Sequence, residues 1–318
     1  MINKALIIGF GSIGRRHAQI LGGLLGKNNI YILTKQDEIE FNSIDSIDKI
    51  DTLDPDYVVV ACETSLHLKH VLNLERIWRE KIVLIEKPLF DKNIKENLAN
   101  NHYLVAYNLR FHPLINLLKK KINEEKIISA KAVCHSFLPN WRKNIRYQES
   151  SSASQAKGGG VLLDLSHEID YMHYILGDFS VSYSINKKVS NLEIDTDDYL
   201  LICGELNRGG LLNIEASYFS KNTRRKIFIE TSRSSIELDI IKSQMKIFTD
   251  HKEKIISEIA LKDTKLAKQI KYAEKKSCTH VILIGEDEVK NQTFTLKNLE
   301  SQEQETLDFN ELIKNLKG

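Results

Sequence analysis

The first twenty residues constrain the fold of this chain most strongly. Residues 5–8 (ALII) form an apolar run typical of a strand that is buried on both faces. GFGSIG follows at residues 9–14, and from residue 15 apolar residues recur at helical spacing. A strand, a glycine turn and a helix in this order are the context in which G-x-G-x-x-G indicates dinucleotide binding. We therefore predict that the chain begins with a dinucleotide-binding α/β domain.

Each residue of the glycine loop has an expected task. Gly9 allows the tight turn, Gly11 lets a pyrophosphate approach the backbone, and Gly14 lets the helix pack close to the strand. Ser12 and Ile13 complete the loop at the helix start, where free N–H groups are expected to hold phosphates. These five residues are the predicted phosphate-binding set.

Composition excludes several functional classes. The chain has 318 residues, enough for two domains, and its net charge of +2 gives no electrostatic argument for nucleic acid or an anionic membrane. No apolar run approaches membrane-spanning length, and we expect no signal peptide because the sequence begins with a strand. The four cysteines are scattered without a C-x-x-C pair, which favours reduced thiols in a cytoplasmic protein over a metal site.

The end of the second predicted strand, residues 29–34, is expected to meet the adenosine ribose. An acidic residue there suits the 2′-hydroxyl of NAD, whereas a cation or a small hydroxyl suits the 2′-phosphate of NADP. Thr34 and Lys35 favour NADP, and Asp37 keeps NAD open. A solvated loop lysine is an equally good interpretation of Lys35.

Three further apolar runs predict strands at residues 56–61, 82–85 and 103–107, alternating with helices in a doubly wound parallel sheet. Polar residues follow each strand at the edge where ligands bind in such sheets. The candidates for cofactor or substrate contact at this edge are Thr64, His67, Glu86, Lys87 and Arg110.

The order of these segments resembles the Gfo/Idh/MocA family (glucose–fructose oxidoreductase and inositol dehydrogenase). The resemblance covers about residues 1–250 and rests on GFGSIGRRHA, ETSLHLKHV, VLIEKPL and AYNLRFHP. It implies an NAD(P)-dependent oxidoreductase of sugars, cyclitols or nucleotide sugars with Lys87 at the catalytic centre. A partly desolvated lysine beside the nicotinamide suits removal of a hydroxyl proton. In isolation, Glu86 and Lys87 would instead suggest a surface ion pair.

A long loop with aromatic and basic residues lies in the second half of the chain, after a predicted helix (114–124) and strand (127–137). Loops of this length in a compact domain are usually functional or disordered. An aromatic side chain there suits stacking on a sugar or base, and arginines suit a carboxylate or phosphate. A solvated loop with one anchored tryptophan is the competing interpretation. The predicted substrate-binding residues are Trp141, Arg142, Arg146 and Tyr147.

A glycine run at residues 158–160 leads into D-x-x-H-x-x-D, formed by Asp164, His167 and Asp170. His167 is the natural second acid–base group and a substrate contact, because imidazole titrates near neutrality. We expect Asp164 to orient the substrate hydroxyl or the imidazole, and Asp170 to be structural. Two residues at this spacing are weak evidence for a metal, so none is predicted.

This segment also resembles the Gfo/Idh/MocA family, with one departure. Many members carry an acidic residue four positions before the histidine, whereas here that position is Leu163 and the acid, Asp164, is three positions before. The stretch PNWRKNIRYQ…GGGVLLDLSHEIDY resembles members of surface-polysaccharide and nonulosonic-acid biosynthesis.

Short alternating runs from residue 181 to residue 248 predict an α+β domain with an open, mostly antiparallel sheet and helices on one face. The free face must be covered, so we expect a homodimer or homotetramer through that sheet. The predicted domains are residues 1–113 for the cofactor, 114–255 for substrate and oligomerisation, and 256–318 as a tail.

The tail resembles the C-terminal half of the anticodon-binding domain of histidyl-tRNA synthetase. The order A-x-K-K…V-I-x-I-G-E-x-E…T-x-K-N-L carries the resemblance, and a helix, two strands (280–285 and 293–299) and a helix (309–316) are predicted. We favour a structural cap, because RNA binding relies on phosphate neutralisation and the chain is not strongly basic. A tRNA- or nucleotide-binding tail, or a non-catalytic dinucleotide-binding protein, is the alternative.

Overall fold

The computed structural model describes residues 2–50, 52–143, 145–250, 252–256, 265–275 and 278–317. The chain divides into two compact units, residues 1–258 and residues 259–318.

The first sheet grows around the apolar run that opens the sequence. All its neighbouring strands are parallel, in the order β3-β2-β1-β4-β5-β6. The strands are β1 (Ala5–Ile8), β2 (Ile30–Leu33), β3 (Asn42–Ile44), β4 (Tyr57–Val60), β5 (Ile82–Ile85) and β6 (His102–Val105). The order reverses between β1 and β4, which opens a crevice at their carboxyl ends.

Alternate residues of β1 enter two different cores, which makes the sheet doubly wound. Ala5 and Ile7 pack in the cluster that contains Ala18 of α1 (Ser12–Leu25). Leu6 and Ile8 pack in the cluster that contains residues of α2 (Thr64–Ile77). An apolar run with no alternation is therefore what a strand covered on both faces requires.

Two details of this sheet differ from the predictions. β3 was not predicted, because Asn42 and Ser43 are polar and the strand is held through backbone pairing with β2. No helix joins β5 to β6 in the described residues 86–101, where the sequence is polar and rich in asparagine.

The second sheet has eight strands in the order β14-β13-β12-β11-β7-β10-β9-β8. Only β7 and β10 run parallel among its described pairs. Its strands are β7 (Ile127–Phe137), β8 (Phe179–Lys187), β9 (Tyr199–Leu206), β10 (Leu211–Ser217), β11 (Phe219–Thr231), β12 (Ser235–Asp239), β13 (Gln244–Thr249) and β14 (Lys252–Ile256). Gly209 and Gly210 take positive φ angles of 89° and 103° in the β9–β10 hairpin, as their sequence predicts.

Helices cover one face of this sheet. They are α3 (Pro113–Ile122), α4 (Val161–Asp164) and α5 (Ser166–Leu176), which ends at Gly177 as predicted. Ala130, Ala132 and Ile214 of the sheet share one buried cluster with Ile115 of α3 and Tyr171 of α5. The predicted fold class, a doubly wound parallel sheet followed by an α+β domain, is thus confirmed.

The second unit is built on a small antiparallel sheet in the order β15-β16-β17. Its elements are α6 (Leu266–Lys275), β15 (His280–Leu283), α7 (Glu286–Asn291), β16 (Phe294–Asn298), β17 (Gln304–Leu307) and α8 (Phe309–Lys317). Leu296, Leu307 and Leu312 form its buried cluster. The polar elements α7 and β17 were not predicted. Across the described parts of both units, every helix is too short or too polar to span a bilayer.

Candidate functional site

The glycine loop after β1 has the shape that a dinucleotide phosphate group needs. Gly9 has a positive φ of 98°, and a Cβ on Gly14 would lie 2.2 Å from the Gly9 carbonyl oxygen. A Cβ on Gly11 would meet nothing within 4 Å, so the space above the loop is open. Ser12 and Ile13 are exposed at the start of α1, which has no side-chain cap on its free N–H groups. These features fit a pyrophosphate at the helix start.

The end of β2 forms an open pocket of about 300 Å³. Thr34 and Lys35 line it as predicted, and the hydroxyl oxygen of Thr34 accepts a hydrogen bond of 3.1 Å from the backbone N–H of Gln36. Lys49 also lines the pocket but pairs with Asp45 at 2.7 Å. The pocket therefore carries both positive and negative charge, which leaves the choice between a ribose hydroxyl and a phosphate open.

Arg15 is a residue at this pocket that the sequence interpretation missed. Its guanidinium lies 4.2 Å from the centroid of the Phe10 ring and donates to the side-chain oxygen of Gln36. Arg15 directly follows Gly14, the last residue of the phosphate loop, and this position was the signal that could have found it.

His67 does not have the position predicted for a cofactor contact. Its side chain is only 1% exposed, and Nδ1 lies 3.0 Å from the carbonyl oxygen of Pro88. Nε2 lies 3.3 Å from the carbonyl oxygen of Cys62. The His67 ring therefore contacts the backbone carbonyls on either side of it and supports the chain that follows Lys87. Thr64, one turn earlier on α2, packs against Gly158.

Glu86 and Lys87 diverge from the end of β5. Oε1 of Glu86 lies 2.7 Å from Nε2 of His17 on α1, which joins the strand end to the helix of the glycine loop. Nζ of Lys87 donates a hydrogen bond of 2.7 Å to the main-chain carbonyl oxygen of Asp164. Lys87 therefore spans the crevice from the parallel sheet to α4, and the isolated surface pair of Glu86 with Lys87 does not occur.

The Asp164 side chain has a partner of its own. Its Oδ2 accepts a hydrogen bond of 2.7 Å from the hydroxyl of Tyr218, which follows β10. Burial, and the nearby Asp164 carboxylate, raise the pKa of Tyr218 well above its ordinary value, so this phenol stays protonated and donates. Tyr218 lies in no recognisable motif and is 54 positions from its partner, so it was not predicted.

His167 is enclosed beside Asp164. Its Nε2 lies 3.0 Å from Oε1 of Glu168 but not in hydrogen-bond geometry. Burial lowers the pKa of His167, and the positive charges of Arg225 and Lys87 lower it further. The ring is therefore neutral at physiological pH and able to accept a proton.

An ion pair between fully buried Glu168 and partly buried Arg225 lies behind His167. Glu168 is 0% exposed, and its Oε1 accepts hydrogen bonds from Nε and Nη2 of Arg225, with the first at 2.8 Å. Its other oxygen accepts from the hydroxyl of Tyr171. Burial opposes ionisation of Glu168, but the charge of Arg225 and the contacts with His167 and Tyr171 together outweigh it, so the pKa of Glu168 is lowered. Glu168 is the neighbour of His167 in the sequence, and this could have identified it as a site residue. No sequence feature pointed to Arg225.

Three potential metal ligands meet at this point. Ligand atoms of Cys134, His167 and Glu168 lie within 4.8 Å of one another. The guanidinium of Arg225 already neutralises the Glu168 carboxylate, and burial raises the pKa of the Cys134 thiol far above its ordinary value. A protonated thiol and an adjacent cation both oppose a metal ion, so the donor set fits a proton-handling site better.

The long loop reaches the same site through Trp141. Its ring meets Tyr218 edge to face, with the ring centroids 5.1 Å apart. Trp141, Arg142 and Tyr147 line a small pocket with Ser150 and Ser152.

The other predicted substrate residues have local partners. Arg146 is exposed and lies 3.9 Å from Glu149. The hydroxyl of Tyr147 accepts from the backbone N–H of Glu193 at 3.2 Å. Arg110 donates two hydrogen bonds to Asp170, at 3.0 Å and 2.6 Å, which agrees with a structural role for Asp170.

Two family models match the chain. The model described as the GFO/IDH/MocA C-terminal domain matches residues 116–237, and the model described as the anticodon binding domain matches residues 246–318. The resemblance to the Gfo/Idh/MocA family is confirmed. Its C-terminal-domain match covers the segment that carries Trp141, Asp164, His167 and Arg225.

Solved structures share the Gfo/Idh/MocA fold. Levoglucosan dehydrogenase in complex with NADH has a TM-score of 0.67 at 19% identity, over 85% of this chain and 87% of that chain. The WlbA dehydrogenase from Bordetella pertussis, in complex with NADH and UDP-GlcNAcA, has a TM-score of 0.64 at 15% identity, over 75% and 78%. UDP-N-acetylglucosamine 3-dehydrogenase GnnA from Acidithiobacillus ferrooxidans has a TM-score of 0.63 at 18% identity, over 86% and 89%. At these identities the likeness establishes the fold.

Curated relatives match the tail. The histidine–tRNA ligase of Christiangramia forsetii is 48% identical over 65 residues, which are 20% of this chain and 14% of that protein. The enzyme of Finegoldia magna is 42% identical over 77 residues, 24% and 18% of the two proteins. The predicted resemblance of the tail to an anticodon-binding domain is thus confirmed, and the chain spans only a small part of these ligases.

Proposed function

We propose that this protein is an NAD(P)-dependent oxidoreductase that transfers a hydride between nicotinamide and a secondary alcohol or ketone of a sugar or nucleotide sugar. The observation that carries the proposal is the convergence of Lys87, Asp164 and His167 in one crevice beside the open glycine loop. The WlbA structure, which holds UDP-GlcNAcA, and the UDP-N-acetylglucosamine 3-dehydrogenase GnnA support the substrate class. We place the reaction in surface-glycan or nonulosonic-acid biosynthesis.

The roles of the residues follow from their contacts. Bound nicotinamide supplies the acceptor for the hydride that leaves the carbon of the alcohol. Lys87 retains donors beyond its contact with Asp164, and these hold the substrate oxygen in the crevice. His167 is neutral and takes the hydroxyl proton, so that one hydride and one proton leave the alcohol. Asp164, fixed by Tyr218, orients the hydroxyl or the imidazole.

A screen of nucleotide sugars and free sugars, followed by cofactor absorbance with NAD and NADP, tests this function. We expect reduced cofactor to accumulate with at least one sugar, and we expect H167Q to lower the rate about 10²–10⁴-fold. Absence of turnover in both directions, with cofactor bound and a sugar panel that includes uronic acids, would argue against the assignment.

The cofactor is proposed to be NADP or NAD, with a preference for NADP. The cationic Lys35 and the hydroxyl of Thr34 line the pocket at the end of β2 and suit a 2′-phosphate. Fluorescence titration with NADH and NADPH decides the matter. A strong preference for NADH would remove the argument from Thr34 and Lys35.

We also propose that the protein is a homodimer or homotetramer through the free face of the eight-stranded sheet. Tyr183 and Leu211 lie on this face and are 57% and 61% exposed, which is costly for large apolar side chains. Light scattering of the wild type and of L211E measures the assembly, and an unchanged monomeric mass in both would oppose this proposal.

A second candidate function concerns the tail alone. Its identity of 48% to a histidine–tRNA ligase favours binding of tRNA or a nucleotide, whereas the modest net charge favours a structural cap. A gel shift with tRNA at low and high salt separates the two. A salt-dependent shift of the tRNA band supports binding by the tail. If no shift occurs at low salt, the structural cap is the favoured interpretation.

A further inference from the structure

We propose that Glu168 and Arg225 are positioning residues that fix the tautomer of His167. In this arrangement Nε2 carries the ring proton toward Glu168, and Nδ1 offers its lone pair to the substrate hydroxyl. The inference rests on the proposed function for its catalytic meaning, but the tautomer itself can be measured without turnover.

The hydrogen-bonding capacity of Glu168 is the first part of the argument. An ionised carboxylate only accepts hydrogen bonds, so the ring nitrogen beside it must be the one that carries a proton. That nitrogen is Nε2, at 3.0 Å from Oε1 of Glu168. A neutral imidazole has one N–H, and therefore Nδ1 keeps its lone pair.

Enclosure of the ring is the second part. Nε2 of His167 is buried and has no partner in hydrogen-bond geometry. The same is not true of Nδ1. A small rotation of the ring brings the Nε2–H onto Glu168 and satisfies this donor. Nδ1 is then the nitrogen that remains for a ligand in the crevice.

Arg225 is the third part, because it holds Glu168 in the ionised state. Its Nε and Nη2 both donate to Oε1, the same oxygen that faces His167. Glu168 also accepts from Tyr171, so both carboxylate oxygens are engaged and the group cannot turn away. Arg225, Glu168 and His167 thus form a chain in which each member orients the next.

The other groups around His167 agree with a neutral ring. Lys87 faces it from the end of β5, and Cys134 and Tyr171 lie beside Glu168 as neutral donors because burial raises the pKa of each. His112, before α3, lies near Arg225, and the pKa of His112 is lowered by burial and by that charge.

The test is nitrogen NMR of the full chain labelled with ¹⁵N-histidine. The signals of His167 are those missing from H167Q, and the shifts of the two ring nitrogens report which one is protonated. We expect Nε2 to be protonated in the wild type. In E168Q the side-chain amide can donate to Nε2, so we expect the proton to move to Nδ1 and kcat to fall about 10²–10⁴-fold, as for loss of a general base, with cofactor affinity unchanged.

A matched control uses a similar contact outside the site. Nε2 of His135 lies 3.3 Å from Oε1 of Glu215 on the other face of the second sheet. E215Q should leave the His167 signals and kcat unchanged. If E168Q does not fold because Arg225 loses its counterion, the double variant E168Q/R225M removes both charges, and it should also lose the wild-type tautomer preference.

The outcomes separate this inference from the proposed function. A wild-type proton on Nδ1, or an unchanged tautomer in both E168Q and the double variant, overturns the positioning role even if H167Q is inactive. A tautomer that moves in E168Q without any change in turnover supports the positioning role and overturns the use of His167 as the base.

Discussion

Lys87 contacts Asp164 through the main chain and not through the carboxylate, since its Nζ donates to the Asp164 carbonyl oxygen over 2.7 Å. The carboxylate of the same residue is free to accept from Tyr218. Asp164 thereby positions Lys87 through its backbone and Tyr218 through its side chain. Substitutions of Lys87 and of Tyr218 test these two contacts separately.

Substitution of Lys87 by alanine removes the amine that spans the crevice. We expect kcat to fall by about 10²–10⁴-fold, in the range of a lost acid–base group, with cofactor affinity nearly unchanged. Stopped-flow turnover and fluorescence titration measure the two quantities. Lys92, an exposed lysine on the same connection, provides the control: K92A should match the wild type. Undiminished turnover of K87A would end its catalytic assignment.

The geometry of the glycine loop predicts that two alanine variants differ: one should lose stability and the other should lose cofactor affinity. G14A places a Cβ 2.2 Å from the Gly9 carbonyl oxygen, so we expect destabilisation of about 1–3 kcal/mol from overpacking. G11A meets no protein atom within 4 Å, so its melting temperature should change little while cofactor affinity falls.

Gly23 supplies the control for these two variants, because it lies on α1 and its Cβ would also meet nothing within 4 Å. G23A should gain about 1 kcal/mol from helix propensity and bind cofactor normally. Thermal melts and fluorescence titration distinguish the three variants, and tight cofactor binding by G11A would contradict the predicted phosphate site.

The pH dependence of alcohol oxidation follows from the lowered pKa of His167. The protonated ring cannot accept a proton, so kcat/KM should rise as pH increases through the pKa of the ring. Because burial and two cations place that pKa below the ordinary value of 6.5, oxidation should already exceed half of its plateau at pH 6.5. This rise of kcat/KM with pH should be absent from the residual activity of H167Q. A limb centred above 6.5 in the wild type would show that another group titrates.

Tyr218 allows a test of the Asp164 side chain. Y218F leaves the ring that meets Trp141 but removes the donor to Oδ2 of Asp164, so we expect a loss of about 1–3 kcal/mol in the free energy of unfolding. Denaturant melts measure this loss. The hydroxyl of Tyr199 makes only a 3.4 Å contact with Glu215, and Y199F should cost less than about 0.5 kcal/mol. Equal losses of unfolding free energy in Y218F and Y199F would mean that the hydrogen bond from Tyr218 to Asp164 does not stabilise the fold more than an ordinary surface contact.

Local patterns predicted the fold where burial dominates. β5 and β7 have the predicted bounds because apolar residues run together or alternate along them. β3 and β17 were missed because their residues are mostly polar and their pairing is made by the backbone, which leaves no hydrophobic pattern.

The site divides in the same way between local and distant signals. Lys87 and His167 were predicted, because each lies in a motif beside a strand end or a helix start. Tyr218 and Arg225 come from positions more than fifty residues after their partners, and only the folded sheet brings them together. His67 was misplaced because a helix start after a strand shows where a side chain begins and not which way it points.

The carbonyl oxygen that Lys87 contacts is at the last residue of α4, where a helix leaves carbonyl groups without internal partners. The lysine therefore also serves as the cap of that helix. An ammonium group has three N–H donors, so two remain after the contact with Asp164. Lys87 can thus hold the substrate oxygen and cap α4 at the same time, so the group that positions the substrate also stabilises the backbone beside it.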